Sequence, residues 1–231
     1  MDNFYYYGID SLYIYLVLPA IIIAIWSQIK VKTTFSKYSR RNCALSGADA
    51  ARRVLELNGV GGVRIERVSG NLTDHYDPRS NTIRLSDNVY DSYSISAVGV
   101  AAHEAGHAVQ YAKGYSPIKI RSFILPVCQI GSQLSMPLLI VGLIFNFYFL
   151  VKLGVIFFFA AFLFQLITLP VEFNASGRAI KCIRENGILT DSDDITGVKR
   201  VLSAAAMTYV AALLVSLTQL IRLLAITGRR K

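Results

Sequence analysis

One stretch constrains this chain more than any other. From Ser122 to Pro170, 49 residues carry a single charge, Lys152. A bilayer core takes about 20 helical residues per crossing, so this run is too long to cross once and suits a pair of spans. The expected division is a first span over about 123–147 and a second over about 153–170, with Asn146 and Lys152 to Gly154 supplying the turn. Pro126, Pro137 and Pro170 are expected to kink or end these helices, which a membrane tolerates where neighbouring helices cover the freed carbonyls. Two crossings return the chain to the side it started from, so the segments flanking this run can meet.

Two further blocks share this character. Leu12 to Ile29 has no charge in 18 residues, enough to cross most of a bilayer at about 1.5 Å per residue. Tyr5, Tyr6 and Tyr7 before it and Trp26 near its end suit the two interfaces. The acidic start and the absence of a small-residue cleavage site before Lys30 read as an uncleaved anchor rather than a signal peptide. Val201 to Ile226 is apolar but richer in Ala, Ser and Thr, the residues of closely packed membrane helices. It reads as a further span, the alternative being a helix buried against the polar part. These blocks explain how a chain with net charge +9 can be 53% hydrophobic. That pairing excludes a disordered basic tail, and three Cys exclude a disulfide scaffold.

About 90 residues of ordinary polarity, Lys30 to Arg121, separate the first two blocks. Ser46 to Asp49 reads as a capping box opening a helix that ends near Asn58-Gly59. Val63 to Val68, Leu72 to Tyr76 and Thr82 to Leu85 read as three short strands of a small antiparallel sheet. From Ile95 the spacing turns helical, with Ser94 or Ser96 as cap and Lys113-Gly114 as close. Small residues at Ala101, Ala102, Ala105 and Ala108 require this helix to be tightly packed.

Inside that helix lies His103-Glu104-Ala105-Gly106-His107. A four-residue step turns an α-helix about 400°, so the two imidazoles point the same way, one turn apart. They can take two corners of a zinc tetrahedron. Glu104, about 100° round, can take the proton of a water that zinc has acidified and pass it to a leaving amine. Two of the chain's three His are used here, and a buried imidazole pair without a partner is costly. A catalytic site needs a third ligand and an open fourth position. His75 is one candidate; Glu172, just after the long apolar run, is the other.

HEAGH, a hydrophobic hairpin and then a helix opening with Glu resemble the membrane gluzincins of the HtpX and CAAX-protease type. LTDHYDP (Leu72 to Pro78), RLS (Arg84 to Ser86), SISAVGVAAHEAGHAVQ (Ser94 to Gln110), LPVEFNASGRA (Leu169 to Ala179) and AAAMTYVAALL (Ala204 to Leu214) resemble, in order and over essentially the whole chain, the YugP-type neutral zinc metallopeptidases. The resemblance implies His103, His107 and Glu172 as ligands of one zinc ion and Glu104 as catalytic base. HtpX-type proteins carry an Asp four residues after the ligand Glu, where this chain has Ser176. A hydroxyl there can accept a ligand histidine's N–H but brings no charge. His75, Tyr76, Arg178 and Tyr209 are the candidates for stabilising an oxyanion.

The two-span reading of Ser122–Pro170 independently places Glu172 on the side of the His pair. Five bases, Lys30, Lys32, Lys37, Arg40 and Arg41, follow the first span, whereas Asp2 and Asp10 precede it. The positive-inside bias then puts the active site in the cytoplasm of a multi-pass cell-membrane protein; the basic end Gly228 to Lys231 fits this only if the last block does not cross. The basic residues are not interleaved with aromatics and no binding motif appears, so nucleic acid is not the expected partner. Lys30 to Arg41 instead attracts anionic lipid. The partners expected are the bilayer and a peptide or membrane-protein substrate, which the strand around Thr82 to Leu85 could hold by edge pairing.

The fold expected is mainly α and integral to the membrane: a helical zincin-like domain with a small antiparallel sheet, packed on about four transmembrane helices. Its segments are an anchor (1–29), a cytoplasmic zincin-like domain (30–121), a transmembrane hairpin (122–170), a helix carrying the third ligand (171–200), and a hydrophobic helix with a basic tail (201–231). The function expected is a membrane-embedded zinc endopeptidase, with membrane-protein quality control fitting the HtpX resemblance. The alternative is a non-catalytic zinc-binding scaffold or chaperone, which gives Glu104 no chemical reason to be there.

Overall fold

A computed structural model describes residues 11–228. Asp2, Asp10, Tyr5 to Tyr7 and the basic end Arg229 to Lys231 lie outside the described residues. A π-helical stretch, Tyr13–Val17, runs into α1 (Leu18–Tyr38). Then follow α2 (Gly47–Leu57), β1 (Arg64–Val68), β2 (His75–Asp77), β3 (Thr82–Ser86), α3 (Asp87–Tyr90), α4 (Ile95–Ala112), α5 (Ser116–Ile144), α6 (Tyr148–Glu185) and α7 (Ser192–Gly228). Four of the described helical segments are long and apolar enough to cross a membrane: Tyr13–Tyr38, α5, α6 and α7.

The chain divides into two compact units. The first lies within Met1–Gln28, Ile120–Leu169 and Thr208–Lys231; the second is Ile29–Lys119 with Pro170–Met207. In the first, the hairpin of α5 and α6 turns at Asn146, which takes φ +52°. Lys152 to Gly154, expected in the turn, lies inside α6. Gly154 serves contact instead: a Cβ there would come within 2.7 Å of Leu139 Cγ and 3.0 Å of the Ser135 carbonyl. The Ser135 hydroxyl donates to the Gly154 carbonyl at 3.1 Å. None of the three prolines ends its helix; Pro126 and Pro137 lie inside α5 and Pro170 inside α6. Each proline removes one helical donor, and the turns on either side keep theirs.

The second unit is built around α4. Ala97, Ala101, Ala102, Ala105 and Ala108 are all buried, and α2 packs its Ala50, Ala51 and Val54 into the same core. Both helices begin as their sequences require. The Ser46 hydroxyl accepts the Asp49 N–H at 3.1 Å, and the Ser94 hydroxyl accepts the Ala97 N–H at 3.3 Å. Both are followed by a glycine with positive φ, Gly59 and Gly114, a conformation that costs a side chain about 1–2 kcal/mol.

The sheet is mixed rather than antiparallel. Its order is β1-β3-β2, with β2 antiparallel to β3 and β1 parallel to it. A tight link joins β2 to β3, whereas residues 69–81 separate β1 from β3, long enough for the crossover that a parallel pair needs. The second strand, β2, is also shorter than expected: Leu72 has φ +57° and stands outside it, and pairing begins at His75. Just before β2, the Asp74 carboxylate accepts the backbone N–H of Ser86 at 2.7 Å and its hydroxyl at 3.0 Å. Because β3 is paired on both sides, it has no free edge for a substrate. The free edges belong to β1 and β2.

Candidate metal centre

Helical periodicity puts His103 and His107 on one side of α4, their ring centroids 4.6 Å apart. Glu172 reaches them from α6. The approach of these helices depends on Gly106 between the two histidines: a Cβ there would lie 2.8 Å from the Ala175 carbonyl oxygen. Ala175 and Ala179 on α6 are fully buried. Small residues on both helices thus allow a backbone-to-side-chain distance that larger ones would block.

The three donor atoms lie within 4.8 Å of one another. His103 Nε2 is 3.2 Å and His107 Nε2 3.5 Å from the same Glu172 oxygen, Oε2. Ligands of zinc at about 2.0–2.2 Å in a tetrahedron stand about 3.3–3.6 Å from each other. Two imidazole nitrogens and a carboxylate are also a donor set typical of catalytic zinc. The residues fit the ion in spacing and in chemistry, and Glu172 is only 2% exposed, so its charge needs partners.

Each histidine is held by its other nitrogen. His103 Nδ1 is 3.1 Å from the Ser176 hydroxyl, and His107 Nδ1 is 3.0 Å from Gln110 Oε1. The orientation of Gln110 is forced. Its Nε2 donates to the Val171 carbonyl at 2.8 Å and to Asn174 Oδ1 at 3.0 Å, so its oxygen must face the ring. That oxygen can only accept, which makes His107 Nδ1 the protonated nitrogen and leaves the Nε2 lone pair for a metal. Asn174 Oδ1 is itself fixed by the Arg178 Nε–H at 2.7 Å. Ser176 occupies the place expected of it beside His103. Gln110 was not foreseen; its one signal was the three-residue spacing from His107, which puts it on the same helical face. Contacts of this kind tune metal affinity about 10–100-fold.

Glu104 is buried and outside the donor group. The backbone N–H of Tyr76 on β2 hydrogen-bonds its carboxylate, and burial pushes its pKa up to about 7. The Glu172 charge and Asp74 push the same way, while His103 opposes them. Asp74 is itself raised by burial. Such a carboxyl is poised to exchange a proton near neutrality.

The remaining candidates fall elsewhere. His75 is exposed, with Nδ1 2.8 Å from the Thr73 carbonyl, and is absent from the donor group. The Tyr76 hydroxyl donates to Asn81 Oδ1 at 2.8 Å. Arg178 props Asn174, and Tyr209 belongs to the first unit.

The family described as "Putative neutral zinc metallopeptidase" matches residues 13–228. A Bacillus subtilis (strain 168) protein called "Putative membrane protease YugP" is 47% identical over 213 residues, 91% of this chain and 94% of its own length. No solved structure matches significantly. The likeness to a membrane protease and the four helices among the described residues that are long and apolar enough to cross identify this chain as a membrane protein. Because the family match runs through nearly all of the sequence, the chain belongs to the neutral zinc metallopeptidase family.

Proposed function

We propose that this protein is a zinc-dependent endopeptidase that hydrolyses peptide bonds of peptide or membrane-protein substrates at the cytoplasmic face of the membrane. The observation that carries the reading is the convergence of His103 Nε2, His107 Nε2 and Glu172 Oε2, beside a buried Glu104. His103, His107 and Glu172 would hold one zinc ion. When bound, zinc acidifies water and polarises a carbonyl. Glu104 accepts the proton of the attacking water and returns it to the departing amine, a role suited to a carboxyl with pKa near neutrality. Ser176 and Gln110 keep the two imidazoles turned so that Nε2 faces inward. Glu172 supplies one negative charge, which would offset half of a dication's charge. A role in membrane-protein quality control fits the resemblance to HtpX-type proteins.

The first test is metal content. Purified protein is expected to hold about one zinc per chain, as a single three-ligand site implies. Chelation is expected to abolish cleavage of a membrane-protein substrate, and zinc to restore it. Full cleavage by metal-free protein would overturn the proposal. The cytoplasmic orientation rests on the five bases between Lys30 and Arg41. A cysteine placed at exposed Arg64, in a chain lacking its native thiols, should resist a membrane-impermeant reagent in intact cells; efficient labelling from outside would reverse the topology.

A further inference from the structure

A second feature of the polar unit lies away from the histidines. A cleft of about 610 Å³ opens between α1 and α7, lined by Lys30, Thr34, Lys37 and Tyr38 from one helix and Thr196, Lys199, Arg200, Ser203, Ala204 and Met207 from the other. The α1 residues follow helical spacing along one face, and so do those of α7. Four cations and four hydroxyl groups therefore meet across the gap, and no carboxylate among the described residues lines it. Of the acids near the start of α7, Asp191 and Asp194 both pair with Arg41. Arg200 donates to the Tyr38 hydroxyl at 3.3 Å, which holds its guanidinium at the cleft wall. A cleft lined by one sign of charge favours an anionic ligand.

The depth of the cleft narrows the choice of anion. Lys30 is the first charge after the uncharged run Leu12–Ile29 on α1. Ala204 and Met207 stand early in the apolar run of α7 that begins at Val201. On α7 the cleft wall itself thus passes from cations to apolar side chains, while α1 leaves the cleft at Lys30 directly into its apolar run. A phosphate with alkyl chains attached matches that change of character; a free phosphate matches only its basic part. Basic clefts between helices at the cytoplasmic end of membrane spans bind anionic lipid head groups by the same physics.

We propose that this cleft is a binding site for the phosphate head group of an anionic phospholipid, held by Lys30, Lys37, Lys199 and Arg200. The hydroxyls of Thr34 and Ser203 supply neutral donors to the same oxygens. The site differs from general attraction of a basic surface to the membrane, because α7 contributes half of its charge. It is independent of the peptidase reading.

The test uses the full chain in detergent, with lipids retained after purification counted by native mass spectrometry. The probes are phosphatidylglycerol, phosphatidylcholine and inorganic phosphate. Wild type is expected to retain one phosphatidylglycerol in preference to phosphatidylcholine. Lys199→Gln with Arg200→Gln should weaken retention on the order of tenfold. Lys30→Gln with Lys37→Gln should do the same while leaving the Arg200–Tyr38 hydrogen bond in place, so a folding defect in the first pair does not decide the matter. Lys32→Gln with Arg40→Gln removes equal charge from outside the cleft and should retain the lipid. Equal loss in that control would overturn the site in favour of a diffuse surface effect. Equal retention of phosphatidylcholine, no retained lipid, or inorganic phosphate competing as strongly as the lipid would each overturn it as well.

Discussion

Glu104→Gln is expected to lower peptide cleavage by about 10²–10⁴-fold, the usual contribution of a general base, while zinc content stays unchanged. The exchange is nearly isosteric. A Gln carbonyl can still accept the Tyr76 N–H that reaches the Glu104 carboxylate, and the residue lies outside the three-donor group. What is lost is the capacity to hold a proton. Zinc analysis beside a cleavage assay on the same sample separates this from a folding or metal-binding defect. A variant that cleaves like wild type would remove Glu104 from the mechanism, and with it the reason to prefer a peptidase over a zinc-binding scaffold.

Gly106→Val is expected to cost folding stability and zinc together. A Cβ at this position already lies 2.8 Å from the Ala175 carbonyl oxygen and 3.3 Å from its carbon, both backbone atoms. Overpacking of this kind costs about 1–3 kcal/mol, and Val adds two methyl groups to it. The strain falls between the helix that holds His103 and His107 and the one that holds Glu172. Relief by moving α4 from α6 would spread donors that now lie 3.2 and 3.5 Å apart. Gly106→Ala should show the milder form: the gain in helix preference, about 1 kcal/mol, offsets part of the clash, so zinc affinity falls more clearly than melting temperature. Gly177→Ala is the control, because nothing lies within 4 Å of a Cβ there; it should keep zinc and gain slightly in stability. Unimpaired zinc binding in Gly106→Val would show that the close approach is not needed by the site.

Much of this was legible in the residues. The caps at Ser46 and Ser94 and the glycine closures at Gly59 and Gly114 are local, since each depends on neighbours within a turn of the chain. The His pair follows from helical pitch alone. Glu172 could be placed near it because two spans return a chain to its starting side. The errors were also local in origin. Gly154 looked like a turn residue, but it is needed where α5 and α6 touch. Thr82 to Leu85 looked like an edge available to substrate, but pairing on both flanks puts it in the centre of the sheet. An antiparallel sheet is the simplest reading of three short strands, and strand order cannot be read from alternation.

The sequence by itself determined the apolar helices and the α4 motif and offered His75 or Glu172 as a third donor, because periodicity, charge and composition act over one element at a time. Tertiary structure alone decided which nitrogen each imidazole turns inward, through Ser176 and Gln110. It decided that Gly106 must lack a side chain, and that Lys199 and Arg200 face Lys30 and Lys37. Each of these depends on atoms brought together from segments tens to well over a hundred residues apart. Contact at that separation is fixed by packing, which no single stretch of sequence contains.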